Sequence, residues 1–494
     1  MVKKSRRTGG DYFIGGMVKK NGKRYRRIQK EKEARRTLDE LSVQICQEVD
    51  DINTAYLAMG QIIRMNPIID DSDEVKQEYI RRLKDYLKAV AWNRRKFVSA
   101  EIDAYEKIII ESESNNNPHD IDFYKYFILL DLMQVMAYDF KCTDEDKLKK
   151  IRSLYEKDFF NANEKIVNQL FKIALNPEKK IKEIIKSTKL DIEKEYLEAI
   201  YKNIKFKKSE PAGVMVTATM SAGKSTFINA LVGKYICLSQ NMACTSKIHC
   251  IVNKAFEDGL SAEYDHDLIL TAGKEELLND NKLNSSDKIV VSANFIGGLS
   301  DQRLIVNDSP GVNYSGDAEH KQITDRLIKA KNYNLLIYIM NATQLSTNDE
   351  SEHLDYVKKN IGRTPILFVI NKIDNLNVDE EDVISIIARQ AEVLKKKGFK
   401  DPVICPVSAR AGYLAKRFQI EKLSKSDERE LYNFVDKFDK MKLTDYYKKV
   451  FKNIHMADSD TEEEQLLKTC GLAYIEKVIV SMCKGGDKNG SSTR

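Results

Sequence analysis

Proline and tryptophan are scarce in this chain: eight prolines and one tryptophan among 494 residues. So few helix breakers exclude a collagen-like or polyproline-rich protein and leave room for long helices. No apolar run approaches the ~20 residues that span a bilayer as a helix. The most apolar helical stretch, 123–140, is interrupted by Lys125, Asp131 and Asp139, and reads as a buried helix. No apolar core follows the basic N-terminus, so no secretory signal is expected. The eight cysteines (Cys46, Cys142, Cys237, Cys244, Cys250, Cys405, Cys470 and Cys483) are scattered, without finger-like metal spacing or disulfide density. Reduced thiols in a cytoplasmic protein are the expectation.

What the chain has is size and charge. At 494 residues, two or three domains are expected, with enough hydrophobic content (42%) to fill their cores. The net charge of +6 is uneven. Residues 1–36 hold fourteen Lys/Arg against Asp11, Glu31 and Glu33, or +11, which leaves −5 for the rest. Paired glycines break this arm, and MVKK occurs at 1–4 and again at 17–20, so Met17 is a candidate second start. The arm reads as a flexible basic tail. It is either a solvated tail or an electrostatic contact for anionic membrane or, less favoured, nucleic-acid phosphates.

From residue 37 the periodicity is helical. Leu38, Leu41, Ile45, Val49, Ile52, Tyr56, Met59 and Ile63 alternate spacings of three and four, the seam of a bundle, and Asn66-Pro67 ends it. A second helix is expected from Ser72, a break at Asn115–Pro118, and further helices at about 121–140, 144–175 and 178–207. Residues 37–208 are thus expected to form an all-α bundle or stalk-like domain, either an inert scaffold or a lever feeding the next domain.

At Pro211 the pattern changes. Short apolar runs at 214–217, 248–252, 288–295, 304–306, 335–340, 366–370 and 403–407 alternate with helical segments, predicting a doubly wound α/β domain with a mostly parallel sheet over 209–484. Residues 255–300 are otherwise too mixed to assign, and 485–494 read as a disordered tail.

Ligands bind such sheets at the carboxyl ends of the strands, and the motifs fall there. The stretch 214–233, VMVTATMSAGKSTFINALVG, is a strand, a tight turn and a helix. That context makes a phosphate-binding loop of Ser221, Ala222, Gly223, Lys224, Ser225 and Thr226. Backbone N–H groups would cradle phosphates, Lys224 would reach the β and γ oxygens, and Ser225 would hold Mg²⁺. Ala218 stands where the first glycine of the pattern is expected, a position whose backbone bend would favour glycine. Asp308-Ser309-Pro310-Gly311 ends the next motif strand: Asp308 suits the Mg²⁺ shell and the Gly311 amide suits a γ-phosphate sensor. Asn371-Lys372-Ile373-Asp374 ends another. The Asp374 carboxylate can accept from N1–H and N2–H₂ of guanine, a donor pair that adenine lacks, which points to GTP and GDP. Asn371 would brace the loop, Lys372 would pack along the base, and a backbone N–H of Ser408-Ala409 would meet the guanine O6. Thr245, before the strand at 248–252, is the candidate switch threonine for Mg²⁺ and the γ-phosphate, with Ser246 as its rival.

The SAGKSTFINALVG loop, the Thr245 segment, DSPG and the NATQLSTND stretch after 335–340 resemble the GTPase domain of the dynamin superfamily, especially bacterial dynamin-like proteins. Cys470–Ile479 resembles its closing helix, so the likeness spans about 210–484. The resemblance implies an α/β P-loop GTPase domain, here preceded by the helical bundle. It also implies GTP hydrolysis stimulated by homodimerisation of that domain, and action at membranes, alone or with a partner dynamin-like chain. Met220 stands where many dynamins place a catalytic Gln, and Val312 leaves no Ras-like Gln after the DxxG. The expected basal rate is therefore slow, with Lys224, Ser221, Thr245 and backbone groups organising the water and a monovalent cation as a candidate component. The rival reading is an Era-like switch acting on RNA or a protein, with hydrolysis as a timer. A third is a domain that binds GTP without cleaving it.

Overall fold

The computed structural model describes residues 60–89, 96–114, 118–135, 145–187, 190, 193–237, 248–264, 267–273, 288–310, 318–377, 382–456 and 461–485. The basic arm, the seam before residue 60, Thr245, Ser246, Gly311, Val312 and residues 486–494 lie outside them.

The N-terminal part is helical, as its periodicity predicts. Its α-helices among the described residues are α1 (Asp73–Lys88), α2 (Lys96–Glu111), α3 (Lys125–Val135), α4 (Glu145–Asp158), α5 (Glu164–Phe171), α6 (Pro177–Ser187) and α7 (Lys194–Lys208). Ser72 caps α1, its hydroxyl accepting from the Val75 N–H, and Asp73 and Glu74 sit at the positive end of the helix dipole. The helices are shorter than the sequence pattern predicts. The stretch 144–175 breaks at 159–163, because Asn163 turns its side chain onto the N–H groups of Lys165 and Ile166 and starts a new helix. The stretch 178–207 likewise divides into α6 and α7. Ile62–Met65, the expected end of the seam helix, is a 3₁₀ turn, followed by a second turn that Asn66 caps through Ile68 N–H.

Tyr79, Leu83, Ile128, Leu132, Tyr155, Tyr196 and Ile200 fill the helical core. Asp131 sits among them, fully buried on α3. Its carboxyl accepts from Tyr79 (2.5 Å), Asn66 (3.3 Å) and Tyr196. Burial pushes this carboxyl up to about 7 from an ordinary 3.8, while the three hydrogen bonds pull it back.

The C-terminal part is the α/β domain. Its strands are β1 (Ala212–Ala218), β2 (Ile248–Asn253), β3 (Ser261–Tyr264), β4 (Asp267–Ile269), β5 (Lys288–Ala293), β6 (Leu304–Asp308), β7 (Leu335–Asn341), β8 (Ile366–Asn371) and β9 (Val403–Val407). They form one sheet in the order β4-β3-β5-β2-β6-β1-β7-β8-β9. Along the sheet from β6 to β9 neighbours are parallel, whereas β2 runs antiparallel to β6 and β3 antiparallel to both β4 and β5. Every residue of β6 and β7 is buried, as expected of strands covered on both faces. Covering the sheet are α8 (Lys224–Val232), α9 (Ala318–Ala330), α10 (Asn348–Asn360), α11 (Val383–Lys396), α12 (Ala409–Phe418), α13 (Lys425–Met441), α14 (Leu443–Val450), α15 (Glu462–Thr469) and α16 (Leu472–Gly485). The hairpin resolves part of the mixed stretch 255–300.

That hairpin is where the two parts meet. Gln61 donates its N–H to Asp258 (2.5 Å) and its amide to Ser261 (2.7 Å), and Arg64 reaches the Leu270 carbonyl (2.9 Å). Phe256 and Leu270 belong to the helical core rather than to that of the sheet. Asn203 of α7 fixes Gly60 by accepting its N–H and donating to its carbonyl, and a Cβ at Gly60 would lie 2.4 Å from the Phe256 ring. Among the described residues no helix is long and apolar enough to cross a membrane.

Candidate nucleotide site

β1 carries its last residue, Ala218, fully buried and paired with Ile339 of β7. Ala218 is still strand and its φ is not positive, so the Cβ that breaks the sequence pattern costs the turn nothing. The left-handed positions come later, at Ser221 (φ 63°) and Gly223 (φ 85°). Gly223 has a second reason to be glycine, since a Cβ there would stand 2.5 Å from the Asn371 side-chain nitrogen. α8 then begins at Lys224, with the open N–H groups of its first turn and its positive dipole end facing the turn. Ser221 is exposed, Ala222 buried, and Ser225 and Thr226 half-buried. Met220, half exposed beside them, brings no polar group.

Lys224 is nearly buried and pairs with Asp308 Oδ1. Strand register explains the meeting: Asp308 ends β6 directly beside Val216 of β1. The turn after it is held twice, by Ser309 hydroxyl to the Val216 carbonyl (3.1 Å) and by Thr324 of α9 to the Pro310 carbonyl (3.0 Å). Asp308 Oδ2 faces the thiol of Cys237 at 3.7 Å. Burial and the Asp308 charge push that thiol well above its usual range.

Asn371, at the end of β8, joins three loops. It donates to the carbonyls of Ala222 (3.0 Å) and Gly223 (3.4 Å) and accepts the Ala409 N–H (3.0 Å). Lys372 turns the chain at φ 64° into the 3₁₀ turn Ile373–Asn375, and Lys437 of α13 holds the Asp374 carbonyl at 2.5 Å. The half-buried Asp374 carboxylate accepts no hydrogen bond and forms no ion pair among the described residues.

The backbone N–H groups of both Ser408 and Ala409 are engaged, the first by the Cys470 carbonyl (3.0 Å) and the second by Asn371. Ser408 instead caps α12 through Ala411 N–H (3.2 Å). The first-turn donor of α12 that this cap leaves over is the Arg410 N–H. Sequence reasoning passed over Arg410, Lys437 and Cys237. Its place directly after Ser408-Ala409 was the only signal for the first, and long-range packing places the other two.

The structure thus brings Ser221, Ala222, Gly223, Lys224, Ser225, Thr226, Asp308, Asn371, Lys372, Asp374, Ser408 and Ala409 to the carboxyl ends of β1, β6, β8 and β9. Thr245 and Gly311 lie outside the described residues.

Residues 214–373 match the family model described as the Dynamin family. No curated protein sequence matches the chain. Among solved structures, a variant of Era from Aquifex aeolicus bound to GDP·AlF4⁻ is 17% identical, with a TM-score of 0.24 over 40% of this chain and 51% of that one. Era in complex with MgGDPNP and a piece of 16S ribosomal RNA is 17% identical, with a TM-score of 0.25 over the same shares. The chain spans about half the length of each, and overlap that slight carries no inference about function. The family match runs from the strand-loop-helix to Ile373 and supports GTP binding: residues 214–373 are similar to the GTPase domain of the dynamin superfamily.

Proposed function

We propose that this chain binds Mg²⁺·GTP at the 214–374 site, hydrolyses it slowly, and uses the cycle to change its own association and conformation at an anionic membrane surface. The observation that carries the guanine assignment is the Asp374 carboxylate, without a partner among the described residues, on a loop that Asn371 ties to the phosphate turn. Guanine N1–H and N2–H₂ give that carboxylate two donors, and adenine would leave it unpaired. The Arg410 N–H is the donor for O6, since Ala409 already serves Asn371; Lys372 lies along the base. Lys224 and the first-turn amides of α8 take the phosphates.

Ser225 hydroxyl and Asp308 carboxylate are hard oxygen donors that fit Mg²⁺, with Thr245 as the switch ligand and Gly311 as the γ-phosphate sensor. Mg²⁺ held there would supply neutralisation of the phosphate charge. Lys224 and Asp308 pair with each other, and a bound Mg²⁺·triphosphate would offer each a new partner, the phosphates for Lys224 and the cation for Asp308. Ser221, Thr245 and backbone groups position the water, with a monovalent cation completing the charge and homodimerisation of the GTPase domain completing the geometry. The +11 arm supplies the membrane contact.

Phosphate release against protein concentration tests dimer activation: specific activity should rise from nanomolar to micromolar protein, and a flat profile contradicts it. Co-sedimentation with anionic vesicles should fall in a truncation starting at Thr37. Retention of RNA instead of vesicles by the full chain would favour the Era-like reading.

A further inference from the structure

The proposed nucleotide chemistry uses one side of Asp308; the other side faces a thiol and an imidazole. Asp308 stands directly opposite His249 in the antiparallel β2–β6 pair, and directly opposed residues share a face of the sheet. Cys237 comes from a third segment and is fixed in place: the Asn229 side chain of α8 accepts the N–H groups of Ile236 (2.9 Å) and Cys237 (2.8 Å) and donates to the Cys237 carbonyl (2.8 Å). A ring nitrogen of His249, Cys237 Sγ and an Asp308 oxygen all lie within 4.8 Å of one another, and all three residues are buried.

We infer that Cys237, His249 and Asp308 form a buried thiolate–imidazole–carboxylate site for one borderline-soft divalent cation, Zn²⁺. Three protein ligands of S, N and O type, with a fourth position for water, suit Zn²⁺. The thiolate selects against Mg²⁺, which demands oxygen ligands and near-octahedral geometry. The ligand atoms, now within 4.8 Å of one another, would have to close on the metal by side-chain rotation about the fixed Cys237 backbone. The metal displaces the thiol proton to solvent as the thiolate forms. Lys224 keeps Asp308 Oδ1 while Oδ2, the oxygen facing Cys237, turns to the metal. A second consequence rests on the proposed nucleotide site: Zn²⁺ on Asp308 withdraws that carboxylate from Mg²⁺, so Zn²⁺ and Mg²⁺·GTP oppose each other.

The test uses the full chain, stripped of metal and free of nucleotide, titrated with Co²⁺ as a coloured probe and then with Zn²⁺. The wild type should show a sulfur-to-cobalt charge-transfer band that saturates at one Co²⁺ per chain and is abolished by one equivalent of Zn²⁺. Cys237→Ser should lose the band, and His249→Gln should weaken the metal by more than about 100-fold, since even indirect partners of metal ligands are worth 10- to 100-fold. Melting curves without metal establish that the variants fold; if Cys237→Ser does not, His249→Gln carries the decision. A wild type without the band overturns the proposal. So does a band of unchanged affinity in folded Cys237→Ser, or unchanged Zn²⁺ affinity in His249→Gln. The nucleotide arm is read separately: Zn²⁺ should inhibit GTP turnover in the wild type, and Cys237→Ser should need at least about tenfold more. A chain that binds Zn²⁺ as described but turns over no GTP sinks the proposed function and leaves the metal site standing.

Discussion

Two buried aspartates, one in each part of the molecule, do opposite things. Asp131 in the helical core and Asp308 at the end of β6 are both fully buried. Asp131 is surrounded by neutral donors, Tyr79, Tyr196 and Asn66, and burial raises its carboxyl to about 7. Asp308 is faced by the Lys224 ammonium at the edge of a loop whose helix points its open amides outward. A buried carboxylate satisfied by hydroxyls is a pin in a packed core, because nothing it touches can leave without exposing an unpaired polar group. A carboxylate paired with a lysine ammonium beside open backbone donors can exchange partners. Burial alone therefore does not mark a site; the nature of the partner does.

Breaking the cation side gives the largest effect. Lys224→Ala should lower GTP turnover by about 1,000-fold, the scale of losing a charged donor to a developing phosphate charge, measured as single-turnover phosphate release. Retained turnover would remove Lys224 from the site. Breaking the neutral side acts on stability instead. Asp131→Ala strands two tyrosine hydroxyls and should cost about 3 kcal/mol in urea unfolding, with nucleotide affinity little changed in the folded fraction. An equal loss of affinity would mean that the two parts are not the separate systems described.

The seam between them comes next. Gly60→Ala drives a Cβ into the Phe256 ring, and overpacking of this kind should cost about 1–2 kcal/mol. Amide exchange should rise at 261–270, where the helical part grips the hairpin. Unchanged exchange there would mean that Phe256 swings aside freely. The helical core also carries a pH dependence. Asp131 has a folded value raised from 3.8 to about 7, so between these values the folded chain binds more protons than the unfolded one. Its contribution is complete below about pH 4 and is lost as the pH rises through about 7. The melting temperature of wild type relative to Asp131→Asn should fall over that window, and a flat difference would contradict the assignment.

The strands were legible because buried parallel strands are continuous apolar runs, and the motifs because they sit at the ends of those runs. Lys224, Asp308, Asn371 and Asp374 were each readable as strand-end chemistry. The hairpin at 261–269 was not, because Phe256 and Leu270 on either side of it answer to the helical core while Ala262 and Ile269 answer to the core of the sheet, so the stretch has no single period. The helix break at 159–163 and the division of 178–207 into α6 and α7 were hidden by apolar spacing that carries on across them. Asp131 read only as an interruption of an apolar helix, since Tyr79 and Tyr196, which explain it, lie 52 and 65 residues away. Cys237 and His249 were invisible for the same reason: register and the Asn229 clamp, rather than spacing, bring them to Asp308.

The central claim is that this loop reads guanine through a carboxylate. The direct measurement is equilibrium binding of Mg²⁺·GTP, Mg²⁺·XTP and Mg²⁺·ATP to the full chain and to Asp374→Asn. Xanthine carries a carbonyl where guanine carries its amino group, and an asparagine amide can donate to it. The wild type should prefer GTP over both rivals by at least about 100-fold, and Asp374→Asn should lose GTP and gain XTP. A wild type that binds ATP as tightly as GTP, or an Asp374→Asn variant with unchanged GTP affinity, would contradict it.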